Sequence, residues 1–146
     1  MTTRPRLILA STSRYRRELL ERLRLPFEVV APQVDETPQP GEQPAALADR
    51  LALAKAQAVA ALHPDAVVIG SDQVADLDGQ AIGKPGSHER AVQQLRSMSG
   101  RVVVFHTAVS VLHRDSGFAR SVRAPVTVHV RALDAADIEN YLRTEP

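Results

Sequence analysis

Arg6-Leu-Ile-Leu-Ala-Ser-Thr-Ser13, followed by Arg14-Tyr-Arg-Arg-Glu-Leu-Leu-Glu-Arg-Leu-Arg24, decides the fold class. An apolar run this short reads as a buried strand. Ser11 and Ser13 then suit the cap of a helix, predicted from about Arg14 to Arg24 with Leu19, Leu20 and Leu23 on one face and Pro26 as its stop. Working outward, Phe27 to Val30 reads as a second short strand. Residues 31–44 hold Pro32, Pro38, Pro40, Gly41 and Pro44 and read as a loop. Ala45 to Leu62, rich in Ala and Leu, is predicted helical. Ala66 to Ser71 is a third strand, apolar up to Gly70 and ending in Ser-Asp-Gln. Turns are predicted at Asp76–Gly79 and Gly83–Gly86, and a helix from Ser87 to Ser99 with Ser87 as cap. Arg101 to Leu112 and Phe118 to Arg131 alternate with the β period about a hairpin turn at Asp115-Ser-Gly117. Val103, Phe105, Thr107, Val109 and Val111 are expected to share one face, as are Val122, Val126, Val128 and Val130. Asp134 is expected to cap a last helix, Ala135 to Leu142. Strands alternating with helices, then a long hairpin, predict an α/β fold with a mixed, partly antiparallel sheet flanked by helices.

Composition narrows the function. The chain has 146 residues, with 18 Lys plus Arg against 17 Asp plus Glu, so its net charge of +1 argues against a coat for nucleic acid or an anionic membrane. With 44% hydrophobic and 24% charged residues it reads as globular, and with 3% aromatics its core must be aliphatic. Cysteine is absent, which excludes disulfides and thiolate metal sites and permits a reducing compartment. Leu7 to Ala10 is too short for a signal peptide's apolar region, and no apolar run reaches membrane-span length. A cytoplasmic, single-domain protein is the expectation for residues 1–146.

Five places could carry chemistry. Ser11-Thr-Ser-Arg-Tyr-Arg-Arg17 puts hydroxyls and guanidiniums at a helix start, where unpaired N–H groups attract anions. A capped amphipathic helix with surface arginines fits equally well. Arg16 stands four and seven residues before Leu20 and Leu23, so it is expected at the top of the apolar face. Asp35-Glu36 could hold a hard cation, although a solvated loop is the plainer reading. Lys55 falls within the stripe Leu47, Leu51, Ala54, Ala58 and Leu62; it either snorkels or reaches an anion in a cleft. Asp72 follows a buried strand, where α/β sheets gather ligands, and no helix follows for it to cap. Gly83-Lys-Pro-Gly86 projects Lys84 from a stiff turn, which alone reads as a plain turn. His63, His88, His106, His113 and His129 have no ligand spacing, and His106 reads as a core or edge residue. The arginine-rich helix is interrupted by Glu18 and Glu21 and lacks an aromatic platform, so RNA contact ranks last.

Taken in order, these pieces resemble the Maf family of nucleoside triphosphate pyrophosphatases. The resemblance is carried by Leu7-Ile-Leu-Ala-Ser-Thr-Ser13, Arg16-Arg17, Glu18-Leu-Leu, Val34-Asp-Glu-Thr37, Leu53-Ala-Lys-Ala56, Ile69-Gly-Ser-Asp-Gln73, Gly83-Lys-Pro85 and Ser99-Gly100. Gln73 after Asp72 is similar to the subgroup acting on 7-methyl-GTP; the dTTP and UTP subgroup typically has Thr there. The resemblance implies a Maf- or ITPase-like mixed sheet with a central cleft, and often a homodimer. It implies that Ser11, Arg16, Arg17, Lys55 and Lys84 hold the triphosphate. Glu36 and Asp72 would bind a divalent cation, Mg²⁺ or Mn²⁺, with Asp72 also accepting a proton from water. Tyr15 and Gln73 would select the base. Arg14 replaces the family's usual Pro, and Tyr15 stands where Trp is common. Family members continue for several tens of residues past position 146, through a segment that helps form the base pocket. The expectation is therefore hydrolysis of a nucleoside triphosphate to the monophosphate and pyrophosphate. The alternatives are the same chemistry on dTTP, UTP or another modified nucleotide, or a nucleotide-binding module without turnover.

Overall fold

Leu7–Ala10 forms β1 and runs parallel to two neighbours, β2 (Glu28–Val30) and β3 (Val67–Leu77). The computed structural model describes residues 5–83 and 86–144. Within them the elements continue as α1 (Arg14–Glu21), α2 (Pro44–Ala60), β4 (Gln80–Ile82), α3 (His88–Met98), β5 (Val102–His113), β6 (Phe118–His129) and α4 (Ala135–Thr144). The sheet order is β2-β1-β3-β5-β6, with β4 also on β3; every pairing beyond the first two is antiparallel. The predicted α/β class with a mixed sheet holds.

The register places the site. β5 covers one edge of β3 from Val68 to Asp76. On the other edge β1 pairs only as far as Gly70, and β4 begins at Ala75. Ser71 to Val74 therefore lie at a gap in that edge, where β1 gives way to Ser11. The third strand thus runs eleven residues, well past the expected end at Ser71. Its polar residues look like a strand end, but pairing to β5 continues the ladder, so Asp72 sits within the strand.

Side chains alternate across the pleat. Val68, Gly70, Asp72 and Val74 share one face with their partners Leu112, Ser110, Ala108 and His106, and α2 lies across this face. A Cβ on Gly70 would overlap the Ala52 carbonyl oxygen and stand 2.6 Å from the Ala56 nitrogen. Only glycine lets the helix come this close. Two aliphatic clusters flank the contact. One joins Ala56, Val59 and Ala60 to Ile8, Val68 and Leu112; the other joins Leu47, Leu51 and Ala52 to Val74 and Ala108. The buried stripe of α2 is thus rotated from the expected one. Ala54 and Ala58 are half-buried, and Leu62 lies beyond the helix end, exposed. Many faces of an Ala-rich helix are similarly apolar, and the choice falls to the small residues that meet Gly70.

The second face is covered near one end. Val103 is buried there, Ile138 of α4 is buried, and α3 and α4 pack together. The expected single inner face of β5 therefore divides: Val103 is buried on one side, and Ala108, Ser110 and Leu112 on the other. Val122 and Val126 of β6 remain about half exposed.

The caps agree with the sequence. Ser13 and Ser87 accept from the backbone N–H three residues on, and Asp134 accepts from Asp137 N at 2.8 Å. α1 is shorter than expected. The N–H groups of Arg22, Leu23 and Arg24 each donate three residues back, and Arg24 takes φ 55°, which ends the helix before Pro26. Its leucine face is not a core here, since Leu23 is 60% exposed. The predicted turn near Asp76 is a tight hairpin with positive φ at both Asp78 and Gly79, and it introduces β4, a strand the sequence did not suggest. Among the described residues, no helix is long and apolar enough to cross a membrane.

Substituting Gly70→Ala forces α2 off β3. It is expected to lower unfolding stability by about 1–3 kcal/mol, the usual scale of overpacking, in urea unfolding monitored by circular dichroism. Stability equal to the parent would show that the close approach is not a constraint.

Candidate active site

The chain leaves β1 into a turn stitched by hydroxyls. Ser11 is buried; its N–H donates to the Val30 carbonyl at 3.2 Å, and its Oγ accepts from Ser13 N at 2.9 Å. Ser13 Oγ accepts from Arg16 N at 3.3 Å and caps α1. The N-terminus of α1, its positive end, thus follows within three residues of Ser11, which borders the gap beside β3. Arg16 is half-buried on the side that meets Lys55 and Glu36, and with Ser11 and Thr12 these residues line a cavity of about 70 Å³.

Lys55 stands at the centre. Its Nζ is 3.0 Å from Asp72 Oδ1 and 2.8 Å from Glu36 Oε1. The two carboxylates differ in environment: the Asp72 side chain is 10% exposed and that of Glu36 59%. A buried ion pair leaves an uncompensated charge when one partner is removed, whereas an exposed pair contributes little. Lys55 therefore does not snorkel; the sheet face supplies its partner.

The proline-rich loop delivers Glu36. Asp35 Oδ1 accepts from Thr37 N at 2.9 Å and bends the chain. Hydrogen bonding from the Thr37 side chain, and then from its backbone N–H, holds the Asp35 carboxyl below its ordinary value. Of the acidic pair, Asp35 shapes the loop and Glu36 faces the cavity. Arg50 of α2 clamps the same loop through Glu42, at 2.7 and 3.0 Å, and through the Thr37 carbonyl at 3.1 Å. Its guanidinium keeps the Glu42 carboxyl low as well. A depressed carboxylate holds its partner above its unfolded pKa and loses that contribution only as pH falls through the lower folded value. The clamp is thus intact at neutral pH. Arg50 and Glu42 were not apparent from the sequence, because nothing marks an Arg in an Ala-rich helix as a loop anchor.

Other predicted residues lie elsewhere. Arg17 turns to a separate cavity of about 400 Å³, with Arg14, and pairs with Glu21 at 3.3 Å; Ser11 and Thr12 border both cavities. Tyr15 is 69% exposed and lines neither. Gln73, next to Asp72 in a strand, points to the opposite face and donates to Thr107 Oγ1 at 2.9 Å. Lys84 lies outside the described residues. His106 is half-buried and sits 3.1 Å from Asp76.

A divalent cation fits the donor set. Asp72 and Glu36 already converge on one cationic nitrogen, and Mg²⁺ commonly takes one or two carboxylates, keeping water and substrate phosphate as its other ligands. Among the described residues there is no group of three or more His, Asp or Glu side chains that could build an all-protein cage.

A family model described as Maf-like protein matches residues 6–146. This chain belongs to the Maf family. Its Maf relatives include a protein of Polaromonas sp. named 7-methyl-GTP pyrophosphatase, 66% identical over 144 residues that cover 99% of this chain and 65% of that protein. Proteins of the same name from Albidiferax ferrireducens and Thiobacillus denitrificans are 61% and 59% identical, over 70% and 71% of their lengths. The chain thus spans about two thirds of the length of these Maf proteins.

The unequal burial of the two carboxylates makes a stability prediction. Lys55→Met strands Asp72 and is expected to destabilise the fold by about 3–5 kcal/mol, while Glu36→Gln shifts stability by less than about 1 kcal/mol. Chemical denaturation of both variants checks this, and equal losses would contradict the assigned asymmetry.

Proposed function

We propose that this chain is a metal-dependent pyrophosphatase that hydrolyses a nucleoside triphosphate, with 7-methyl-GTP as its preferred substrate, to the monophosphate and pyrophosphate. The observation that carries this reading is the convergence of Asp72 and Glu36 on Lys55 Nζ, at 3.0 and 2.8 Å, beside a cavity walled by Ser11, Thr12 and Arg16. The choice of base rests on the printed names of relatives at 59–66% identity. Neither Tyr15 nor Gln73 adds to it from its present position.

A triphosphate carries about four negative charges near neutral pH, and preorganised cations can stabilise the charge that grows on the leaving group. Arg16 and Lys55 take that role, Ser11 and the α1 N-terminus offer donors to phosphate oxygens, and Arg17 adds a cation at the neighbouring cavity; Lys84 is assigned to the triphosphate on its sequence motif alone. Asp72 accepts a proton from the attacking water. The water oxygen bonds to the α-phosphorus, and the bond to the bridging α–β oxygen breaks. Pyrophosphate then leaves with the electron pair. Glu36 and Asp72 would hold Mg²⁺ or Mn²⁺, which when bound neutralises phosphate charge and polarises the reacting centre. A cytoplasmic location, which suits a freely diffusing nucleotide substrate, and action as a homodimer, carried over from the family resemblance, are both part of this proposal.

Pyrophosphate release is measured on 7-methyl-GTP, GTP, dTTP and UTP, with and without divalent metal. 7-Methyl-GTP is expected to be fastest and chelation to stop turnover. Asp72→Asn should slow it by about 10²–10⁴-fold, the scale of a catalytic base, while calorimetry still detects nucleotide binding. Full activity in Asp72→Asn refutes the assigned base; faster dTTP or UTP hydrolysis reassigns the substrate; binding without release leaves a nucleotide-binding module.

A further inference from the structure

Glu36 is a mostly exposed carboxylate on a loop with prolines at 32, 38 and 40, yet it rests 2.8 Å from Lys55. An exposed ion pair is too weak to hold a long loop in one conformation. The loop is also fixed away from Glu36: Asp35 bends it at Thr37, Val34 packs against the aliphatic core, and Arg50 adds a clamp from α2. Arg50 grips Glu42 with two parallel hydrogen bonds, a geometry that restricts both partners. The Glu42 side chain is 9% exposed. The same guanidinium reaches the carbonyl of Thr37, the residue directly after Glu36. Glu42 also accepts from Gln39 N at 3.0 Å, which ties the middle of the loop to the same anchor. Helix α2 thus holds the loop at two levels, by Arg50 at the backbone and by Lys55 at the Glu36 carboxylate.

We propose that Arg50 is a positioning residue for the hydrolytic reaction: through Glu42 and the Thr37 carbonyl it sets Glu36 opposite Asp72. This rests on the functional reading above, because it takes Glu36 as a metal-holding group. Arg50 touches no substrate in this assignment; its effect passes through Glu36. A small misplacement of such a group can slow a reaction by about a hundredfold.

The test is a double-mutant cycle of Arg50→Ala and Glu36→Gln, with Arg50→Lys and Glu42→Gln as second ways to loosen the clamp. Three quantities are read: kcat and KM for pyrophosphate release, Mn²⁺ affinity by electron paramagnetic resonance with a non-hydrolysable triphosphate analogue, and amide hydrogen exchange. Arg50→Ala is expected to lower kcat by about 10–100-fold with little change in KM. It should weaken Mn²⁺ binding about tenfold and speed exchange at Thr37 and Gln39 while β3 amides stay protected. In the Glu36→Gln background it should cost less than about twofold more, since coupled residues are non-additive. Glu42→Gln should reproduce the effect, and Arg50→Lys, lacking the fork, should restore it only in part. Equal losses in both backgrounds, or unchanged exchange at Thr37 and Gln39, overturn the proposal. If the parent chain releases no pyrophosphate from any triphosphate, the functional reading fails instead. The clamp is then judged on exchange alone, where unchanged Thr37 and Gln39 amides refute it.

Discussion

The contact between α2 and β3 at Gly70 sets the geometry of everything near it. Because Gly70 has no side chain, the Ala52 and Ala56 backbone comes down onto the strand. One residue before Ala56 is Lys55, and two residues after Gly70 is Asp72, on the same sheet face. Their 3.0 Å ion pair is thus a consequence of helix–sheet distance. A bulkier residue at position 70 would lift the helix and part the pair, with no change to either charged group. The aliphatic clusters on both sides act in the same sense, since they hold the helix down along its length and shield the pair from water.

The near-neutral net charge conceals a strong local separation. Within one small cavity Arg16 and Lys55 face Glu36, with Asp72 behind Lys55. In the free chain Lys55 stands between two carboxylates that would otherwise repel each other and offsets one of their two charges. The buried pair holds Asp72 and the clamped loop holds Glu36, so the acidic side chains are oriented before any ligand arrives, and preorganisation of this kind is what makes charged groups effective in a partly water-excluded site. The loop that brings Glu36 is fixed from the helix as well, so one element, α2, governs both carboxylates: one through the sheet face and one through Arg50 and Lys55.

Much of the fold was legible because its punctuation is local. Ser13, Ser87 and Asp134 mark helix starts by a chemistry that needs only three following residues. Asp115-Ser-Gly117 marks the hairpin, with Gly117 at φ 73°. What was hidden depends on partners distant in sequence. The strand through Ser71-Asp72-Gln73 looks finished until β5 is placed beside it, residue against residue to Asp76. The buried face of α2 could not be chosen from an Ala-rich sequence, because Gly70 chooses it. β4 is three residues long and exists by pairing with β3. For the site, the ordered motifs supplied nine residues; the fold brings Ser11, Arg16, Glu36, Lys55 and Asp72 together, turns Arg17 and Gln73 elsewhere and leaves Tyr15 exposed, while Lys84 lies outside the described residues.

Adjacent motif residues are separated by the same geometry that gathers distant ones. Successive residues of a helix differ by about 100°, so Arg16 faces the Lys55 cavity while Arg17 faces the one beside Arg14. Successive residues of a strand face opposite ways, so Asp72 lies under α2 while Gln73 meets Thr107 on the other side of the sheet. Gln73 therefore cannot touch a base held on the Asp72 face unless the base reaches round the gap in the β3 edge between Gly70 and Ala75. Among the described residues no strand pairs with β3 there on the β1 side, and the interruption falls beside Ser11, where β1 ends.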